Sequence, residues 1–292
     1  MIIDMRLRPP WKGFLSLSVF NYAPGAYAPE ILGVNRPRSA IERSMDLLFE
    51  EMEQSGIVAG VMTGRQAVEP FGRVPNDDIY ELAELYPGRL IGLPALDVGR
   101  PREAMAELHR AAEHSLITGV HLEPMGASPA HKADDRALYP LYAEAESVGL
   151  IVAISGGGTM GPDFTYVDPI AIQHVAKDFP GLKLVLCHGG WPWVNLALAV
   201  AYSCPNVYIS PDMYMIVPNM PGALEYVRAA NFFLEDRLLF GTAYPARPLR
   251  ESVAAFHELP FRDDKVKEKV LYANAASLFR LQEETSLGRL GA

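Results

Sequence analysis

The sequence alternates short apolar segments with amphipathic ones, and this alternation limits the fold more than any other feature. The apolar segments have the length of buried strands, and the segments between them carry apolar residues at helical spacing. We find eight such strand–helix units in 292 residues and no run of consecutive hairpins. This pattern predicts an α/β fold of the (β/α)8 TIM-barrel class. The predicted strands begin near residues 2, 57, 90, 117, 150, 182, 207 and 238.

Local signals predict where the helices begin and end. Residues 39–42 (SAIE) fit a capping box, and Met45, Leu48 and Met52 follow at helical spacing. Asn76 is a candidate cap for a second helix that runs to Tyr86. A further helix follows Pro192, and the others are expected near residues 101–114, 136–148, 168–179, 221–233, 248–257 and 264–281.

Composition and charge narrow the class of protein. No low-complexity linker divides the chain, so residues 1–292 are expected to form one domain with a long proline-rich loop at 9–38. The net charge of −9 argues against nucleic acid or a membrane surface as partner. Cys187 and Cys204 cannot make a disulfide framework, and no apolar run approaches the ~18 residues of a membrane span. We therefore expect a cytoplasmic protein.

The chemistry of such a barrel should lie where the strands end, because the loops there form the active sites of TIM barrels. Polar residues follow or end the predicted strands at Arg6, Arg8, Thr63, Arg65, His121, Glu123, Ser155, His188, Ser210, Asp212, Tyr214, Thr242 and Tyr244. Strand alternation predicts that Arg6 and Arg8 point to the same side as Asp4. Met5 and Leu7 should then point to the other side.

Four motifs resemble those of the amidohydrolase-related family, the branch of the amidohydrolase superfamily that contains decarboxylases, hydratases and lactone hydrolases. In chain order they are residues 135–142 (DRALYPLY), 186–192 (LCHGGWP), 239–245 (LFGTAYP) and 270–279 (VLYANAASLF). The resemblance spans nearly the whole chain. It implies a barrel like those of the metal-dependent hydrolases, an enzyme of the hydrolase or lyase kind, and a homodimer.

The metal site that this resemblance implies is mostly replaced. The family's His-x-His of the first strand falls on Arg6 and Arg8, and the Asp of its eighth strand falls on Ala243. The strand-five histidine falls on or next to Ser155, and only His188 is kept. Arginine has no lone pair for a metal, and alanine has no ligand atom. We therefore expect no cofactor and no bound zinc or other divalent metal.

These residues predict a metal-independent hydrolase or lyase that acts on a small carboxylated substrate. Aromatic and cyclic carboxylates belong to this substrate class. Lactone or carbon–carbon hydrolysis, hydration and decarboxylation are the candidate reactions. Arg6 and Arg8 would bind the anion and His188 would transfer the proton. Glu123 and Asp212 could orient His188, carry a proton or neutralise an arginine. Further predicted substrate contacts are Arg65, His121, Ser155, Tyr214 and Tyr244.

Three alternatives stay open at the level of sequence. The barrel could bind an anionic metabolite without turning it over. It could also be a metal-dependent hydrolase with an unusual ligand set, His121, Glu123, His188 and Asp212. Arg6 or Arg8 could instead form a structural ion pair with Asp4 or Glu123. Cys187 is a weak candidate nucleophile, because strand alternation would turn it toward the helices if His188 faces the site.

Overall fold

The computed structural model describes residues 1–21, 34–69, 71–158 and 161–281. Parallel strands follow one another in chain order, as the alternation predicts. One group pairs β1, β2 and β3, and the other pairs β4, β5, β6 and β7. Their bounds are Ile2–Asp4, Ile57–Thr63, Leu90–Leu93, Gly119–Leu122, Ile151–Ser155, Leu184–Cys187 and Val207–Ser210.

Backbone contacts between the two groups close the sheet into a barrel. Ala95, just after β3, pairs in parallel with His121 of β4. On the other side, Leu238 pairs with Ile209, and the amide of Met5 donates to the carbonyl of Phe240 over 2.9 Å. The predicted eighth strand is therefore present as a short extended segment between β7 and β1. The (β/α)8 barrel is confirmed.

The helices lie between the strands in the sequence and cover the barrel. Their bounds, α1 to α12, are Ser18–Asn21, Arg38–Glu42, Met45–Gln54, Asn76–Leu85, Pro101–Glu113, Tyr139–Val148, Pro169–Asp178, Val194–Ser203, Ala223–Ala230, Leu249–His257, Asp264–Glu268 and Asn274–Leu278. A π-helical turn, Lys269–Ala273, joins α11 to α12, so the helix predicted over 264–281 is interrupted. None of the described helices is both long enough and apolar enough to cross a bilayer.

Two predicted helix caps are wrong. Arg43 takes the left-handed conformation at φ 53° and ends α2, and Ser44 then caps α3 by accepting from the amide of Leu47. Ser39 instead holds the carboxylate of Glu51. The side chain of Asn76 likewise caps nothing, because its amide group pairs with the backbone of a neighbouring loop.

The strands bury apolar side chains on both faces. One cluster fills the barrel, and its members are Ile3, Met5, Ala59, Val61, Ile91, Leu93, Ile151, Ala153, Val185, Cys187 and Leu239, with Leu278 and Phe279 from the end of the chain. A second, larger cluster lies between the strands and the helices and contains Leu7. Met5 and Leu7 therefore lie on opposite sides of the barrel wall, so the regular alternation predicted for residues 4–8 is wrong.

Regular alternation also fails to predict the direction of the Cys187 side chain. Its side chain belongs to the barrel interior and not to the helix layer, contrary to the prediction. Burial raises the pKa of the Cys187 thiol to about 12, which keeps it protonated at neutral pH. Burial therefore argues against a nucleophilic role for Cys187, which differs from the reason that the sequence suggested.

The loop predicted over residues 9–38 is only partly described. It begins with a 3-10 turn at Lys12–Ser16 and the short helix α1, and residues 22–33 lie outside the described part of the chain. Phe14 and Leu17 are fully buried in the outer apolar cluster. The start of this loop is therefore fixed against the barrel by apolar packing.

Candidate active site

Charged side chains from five strand ends meet at the C-terminal end of the barrel. They are Arg6 and Arg8 after β1, Arg65 after β2, Glu123 after β4, His188 after β6 and Asp212 after β7. The solvent-exposed fraction is 1% for Arg6, 7% for Arg8 and 1% for Asp212. So many buried charges require specific partners, because an unpaired buried charge costs several kcal/mol (~3–5).

His188 and Asp212 form a hydrogen-bonded pair. The Nδ1 atom of His188 lies 3.0 Å from Oδ2 of Asp212, and the backbone amide of His188 donates to the same oxygen over 3.3 Å. The other carboxylate oxygen accepts from the hydroxyl of Ser210 at 2.8 Å. Because a carboxylate only accepts, Nδ1 carries the hydrogen of the neutral imidazole and Nε2 carries the lone pair.

Left-handed backbone turns these side chains toward each other. The φ angles are 62° at His188, 54° at Asp212 and 61° at Ala243, each just beyond the end of a barrel strand. Residues other than glycine pay roughly 1–2 kcal/mol for this conformation. Strained backbone of this kind is concentrated at functional sites, where the surrounding structure holds it in place.

The environment keeps His188 neutral and Asp212 ionised. Burial, reinforced by the charge of Arg6, lowers the pKa of His188 to about 4. For Asp212, burial alone would raise the pKa, but the hydrogen bond from His188 and the charge of Arg6 hold it below its usual value. The pair therefore presents a neutral imidazole whose partner is a carboxylate near pH 7.

Glu123 is the counter-ion of Arg65. The two side chains form a bidentate pair, with Nε to Oε2 at 2.8 Å and Nη2 to Oε1 at 2.9 Å. Burial favours the protonated acid, but the charges of Arg65 and Arg6 shift the pKa of Glu123 well below its usual range. Of the roles left open for Glu123, this geometry favours neutralisation of arginine over transfer of a proton.

His121 and Ser155 lie beneath the charged groups and bind protein atoms. The Nδ1 atom of His121 bonds to the carbonyl of Gly64 at 2.7 Å, and its Nε2 atom lies 3.1 Å from the hydroxyl of Ser155. Burial lowers the pKa of His121 to about 3. Ser155 also lies 3.2 Å from Glu123. The contacts of His121, Ser155 and Arg65 named here are with Glu123 and the barrel wall, and their contact with substrate stays a prediction.

The guanidinium groups of Arg6 and Arg8 differ from that of Arg65. Nε, Nη1 and Nη2 of Arg6 are buried and make no hydrogen bond within the described residues. Its nearest carboxylates are those of Asp212 at 3.6 Å and Glu123 at 3.7 Å. The Arg8 guanidinium forms neither a hydrogen bond nor an ion pair within the same part of the chain. Burial and the charges of Arg6 and Arg65 lower the pKa of Arg8.

Asp4 fixes the position of Arg6 through the backbone. Its carboxylate accepts from the amide of Arg6 at 3.0 Å, from the amide of Thr242 at 2.9 Å and from the hydroxyl of Thr242 at 2.5 Å. Burial raises the pKa of Asp4 to about 6. The structural ion pair proposed as an alternative for Arg6 therefore does not involve Asp4, whose contact is with the main chain.

The two predicted tyrosines have different surroundings. Tyr214 lies edge-on to His188 with ring centres 5.9 Å apart, and it stacks on Trp191 at 5.1 Å. Tyr244 is fully buried in the outer apolar cluster, and its hydroxyl lies 2.6 Å from the hydroxyl of Ser39. The ring of Tyr244 therefore lies away from His188, and its contact with substrate stays a prediction, whereas Tyr214 forms a wall beside His188.

Sequence reasoning missed one buried arginine. Arg247 follows the eighth strand segment and is 2% exposed, and its Nε and Nη1 atoms have no hydrogen-bond partner within the described residues. The charge of Glu251 partly offsets the effect of burial, which lowers the pKa of Arg247. Arg247 follows the eighth predicted strand, and this position in a loop at the C-terminal end of the barrel could have identified it as a candidate site residue.

The donor set does not suit a divalent cation. Within the described residues, no group of three or more His, Cys, Asp or Glu side chains is arranged to hold a metal. His188 and Asp212 bond to each other, Glu123 to Arg65, and His121 to Gly64 and Ser155. The positive charge of Arg6, within 4 Å of both carboxylates, would repel a cation placed between them.

Comparison with known proteins gives one family and several solved structures. A family model described as "Amidohydrolase" matches residues 29–281. An uncharacterised TIM-barrel protein from Bordetella bronchiseptica is 42% identical, with a TM-score of 0.89 over 96% of this chain and 98% of that one.

More distant structures share the fold. A dihydroxybenzoic acid decarboxylase from Polaromonas, solved with manganese and 2-nitroresorcinol, is 15% identical with a TM-score of 0.71 over 98% of both chains. The 4-oxalomesaconate hydratase of Rhodopseudomonas palustris is 18% identical with a TM-score of 0.64 over 96% of both chains. At this identity the likeness concerns the barrel alone.

Proposed function

The chain belongs to the amidohydrolase family of enzymes, and from that membership we propose that it is a metal-independent hydrolase or lyase acting on a small carboxylated substrate. The single observation that carries the proposal is the buried pair Arg6 and Arg8 beside the neutral His188. Arg6 has three nitrogen atoms without a hydrogen bond in the described part of the chain. Donors of this kind suit the oxygen atoms of a carboxylated substrate.

The proposal does not include the metal that a relative of this fold contains. The decarboxylase from Polaromonas was solved with manganese, but the donor groups of the present site are already bonded to one another or to arginine. Fixed guanidinium groups can stabilise negative charge in a buried site much as a cation does. We therefore assign this role to the chain's own arginines.

In the proposed reaction the arginines hold the anion and His188 moves a proton. The lone pair on Nε2 of His188 takes a proton from a water molecule as the water oxygen bonds to the electrophilic carbon of the substrate, and Asp212 stabilises the resulting imidazolium. The imidazolium then returns the proton, in hydrolysis to the leaving atom as its bond to that carbon breaks and in hydration to the adjacent carbon of the former double bond. Burial of the site excludes bulk water and strengthens these interactions. Because a histidine with a pKa of about 4 is a poor acid at neutral pH, hydrolysis or hydration suits it better than decarboxylation.

A screen with an arginine variant tests this function. We expect purified protein, kept in a chelator, to convert at least one member of a panel of small lactones that carry a carboxylate and of unsaturated carboxylates. Arg8→Ala should raise KM about 10- to 100-fold, because hydrogen bonds to a charged partner contribute roughly 1.5–3 kcal/mol. The exposed arginine variant Arg228→Ala, on the outer helix α9, should leave KM unchanged. Ligand binding without turnover of any compound would instead indicate a non-catalytic binding protein.

The pH profile of the active enzyme should report the state of His188. A base must be unprotonated, so kcat/KM is expected to stay level down to about pH 5 and to fall as the pH drops through about 4. An ordinary histidine would give this fall near pH 6.5. The measurement is the kcat/KM profile between pH 4 and 8, with circular dichroism at each pH to show that the protein remains folded. An acid limb near 6.5 would contradict the assigned environment.

A further inference from the structure

Arg6 and Arg8 lie in different electrostatic surroundings, although they are two residues apart. Arg6 has carboxylate oxygens of Asp212 and Glu123 within 3.7 Å, the first beside its Nε atom and the second beside its Nη2 atom. The charges that act most strongly on Arg8 are those of Arg6 and Arg65, which have the same sign as its own. No carboxylate of the described residues pairs with Arg8.

These surroundings select different ligand groups. A cation crowded by other cations is stabilised by a full negative charge. Arg6 already faces two carboxylates, so a third anion beside it would be repelled by Asp212 and Glu123. Its three unbonded nitrogens still need acceptors, because a buried donor without a hydrogen bond costs free energy. An uncharged oxygen meets that need without adding charge.

We infer that the two arginines divide the recognition of one substrate, with Arg8 binding its carboxylate and Arg6 donating to an uncharged carbonyl oxygen of the same molecule. This inference rests on the proposed function and specifies its substrate class, a monoanion that carries both groups. The carbonyl beside Arg6 also lies on the side of the site that holds the His188–Asp212 pair. Negative charge that develops on this oxygen during attack is then stabilised by Arg6 in the transition state.

The spacing of the two residues sets the size of a suitable probe. The amide of Arg8 donates to the carbonyl of Tyr244, and Leu7 pairs in parallel with the same residue, so strand pairing continues beyond β1. Two residues of extended chain separate the Cα atoms by roughly 6.6 Å. A straight chain of five carbons is therefore long enough to carry one group for each arginine.

Three five-carbon acids differ only in the group that Arg6 would meet. Pentanoate offers a carboxylate alone, 4-oxopentanoate adds a carbonyl, and glutarate adds a second carboxylate. At pH 7.5 all their carboxyl groups are ionised, since carboxyl pKa values lie near 4. Isothermal titration calorimetry on the full chain gives the three Kd values.

We expect 4-oxopentanoate to bind about tenfold more tightly than pentanoate and about tenfold more tightly than glutarate, as one hydrogen bond from a charged donor implies. Arg6→Lys keeps the charge and removes the planar set of donors. It should reduce the preference for 4-oxopentanoate to within about twofold, and the Kd of pentanoate should stay within about twofold of that of the unaltered protein. Arg8→Ala should weaken all three acids by at least about tenfold. Arg228→Ala should change none of them.

Several outcomes would overturn the division of roles. One is that glutarate binds most tightly to the unaltered protein. Another is that Arg6→Lys weakens the binding of pentanoate and of 4-oxopentanoate by the same factor. If far-UV circular dichroism shows that Arg6→Lys does not fold, the ranking of the three acids by the unaltered protein decides the question. Failure of the proposed function looks different, because then no acid binds, or Arg8→Ala binds pentanoate as tightly as the unaltered protein.

Discussion

Replacing His188 by asparagine is expected to lower kcat about a thousand-fold, within the range of roughly 10²- to 10⁴-fold that general acid–base groups contribute. Asparagine suits this test because it tolerates the left-handed backbone at φ 62° better than most residues. Its amide can still donate to Asp212, so the carboxylate stays bonded. The variant loses the imidazole lone pair at Nε2 and little else.

The measurement is the steady-state rate with whichever substrate the screen identifies. His109→Asn, at an exposed position on α5 where the imidazole pairs with Glu144, is the matched control and should keep the full rate. KM should change less than kcat in His188→Asn, because the arginines that bind the anion are untouched. A variant that retained more than a tenth of the normal kcat would contradict the role assigned to His188.

The second large effect concerns stability. Glu123→Gln is expected to lower the free energy of unfolding by about 3–5 kcal/mol, because it leaves buried guanidinium groups without their counter-ion. Arg65 loses the bidentate partner to which it donates at 2.8 and 2.9 Å, and Arg6 loses one of its two carboxylate neighbours. The hydroxyl of Ser155 loses a charged acceptor as well.

Thermal unfolding of Glu123→Gln beside Glu81→Gln would measure this effect. Glu81 pairs with Lys12 at the surface, where both side chains are well exposed, so its loss should cost less than about 1 kcal/mol. The comparison isolates burial, because both substitutions remove one carboxylate charge from an ion pair. Equal changes in Tm for the two variants would show that Glu123 is not the counter-ion of a buried arginine.

The barrel could be predicted from the sequence because its strands and helices are set by local periodicity. Each segment from β1 to β7 lies where an apolar run indicated it, and the extended segment at 238–240 completes the ring. The caps at Ser39 and Asn76 were mispredicted because both side chains make contacts across the fold. Glu51 and Ala95, their partners, lie 12 and 19 residues away in sequence.

The directions of side chains were less predictable than the strands that carry them. Alternation assumes a continuous extended backbone, and it fails where His188, Asp212 and Ala243 adopt positive φ. This is why Cys187 and His188, although adjacent, both face inward, Cys187 into the barrel and His188 toward Asp212. Tyr244 follows Ala243, and its ring packs outside the barrel wall.

The choice of partners among the charged residues could not be predicted either. Three arginines and two acids end neighbouring strands, and the sequence offers no preference among their pairings. In the structure Glu123 pairs with Arg65, because two nitrogens of the guanidinium match the two oxygens of the carboxylate. Asp212 is paired with His188. Within the described residues, the guanidinium groups of Arg6 and Arg8 make no hydrogen bond, so they can donate to a ligand.

The bonds between Asp4 and Thr242 also bear on how the protein reaches its active form. They join positions 238 residues apart in the chain, and contacts of such long range form late and slowly in folding. Because the same carboxylate holds the amide of Arg6, and the amide of Arg8 donates to the carbonyl of Tyr244, substrate recognition must await the return of the last strand segment to the first. During refolding, helical signal should therefore recover before the ability to bind a carboxylate. During synthesis, the arginines at the start of the chain would gain their function only once the far end has left the ribosome.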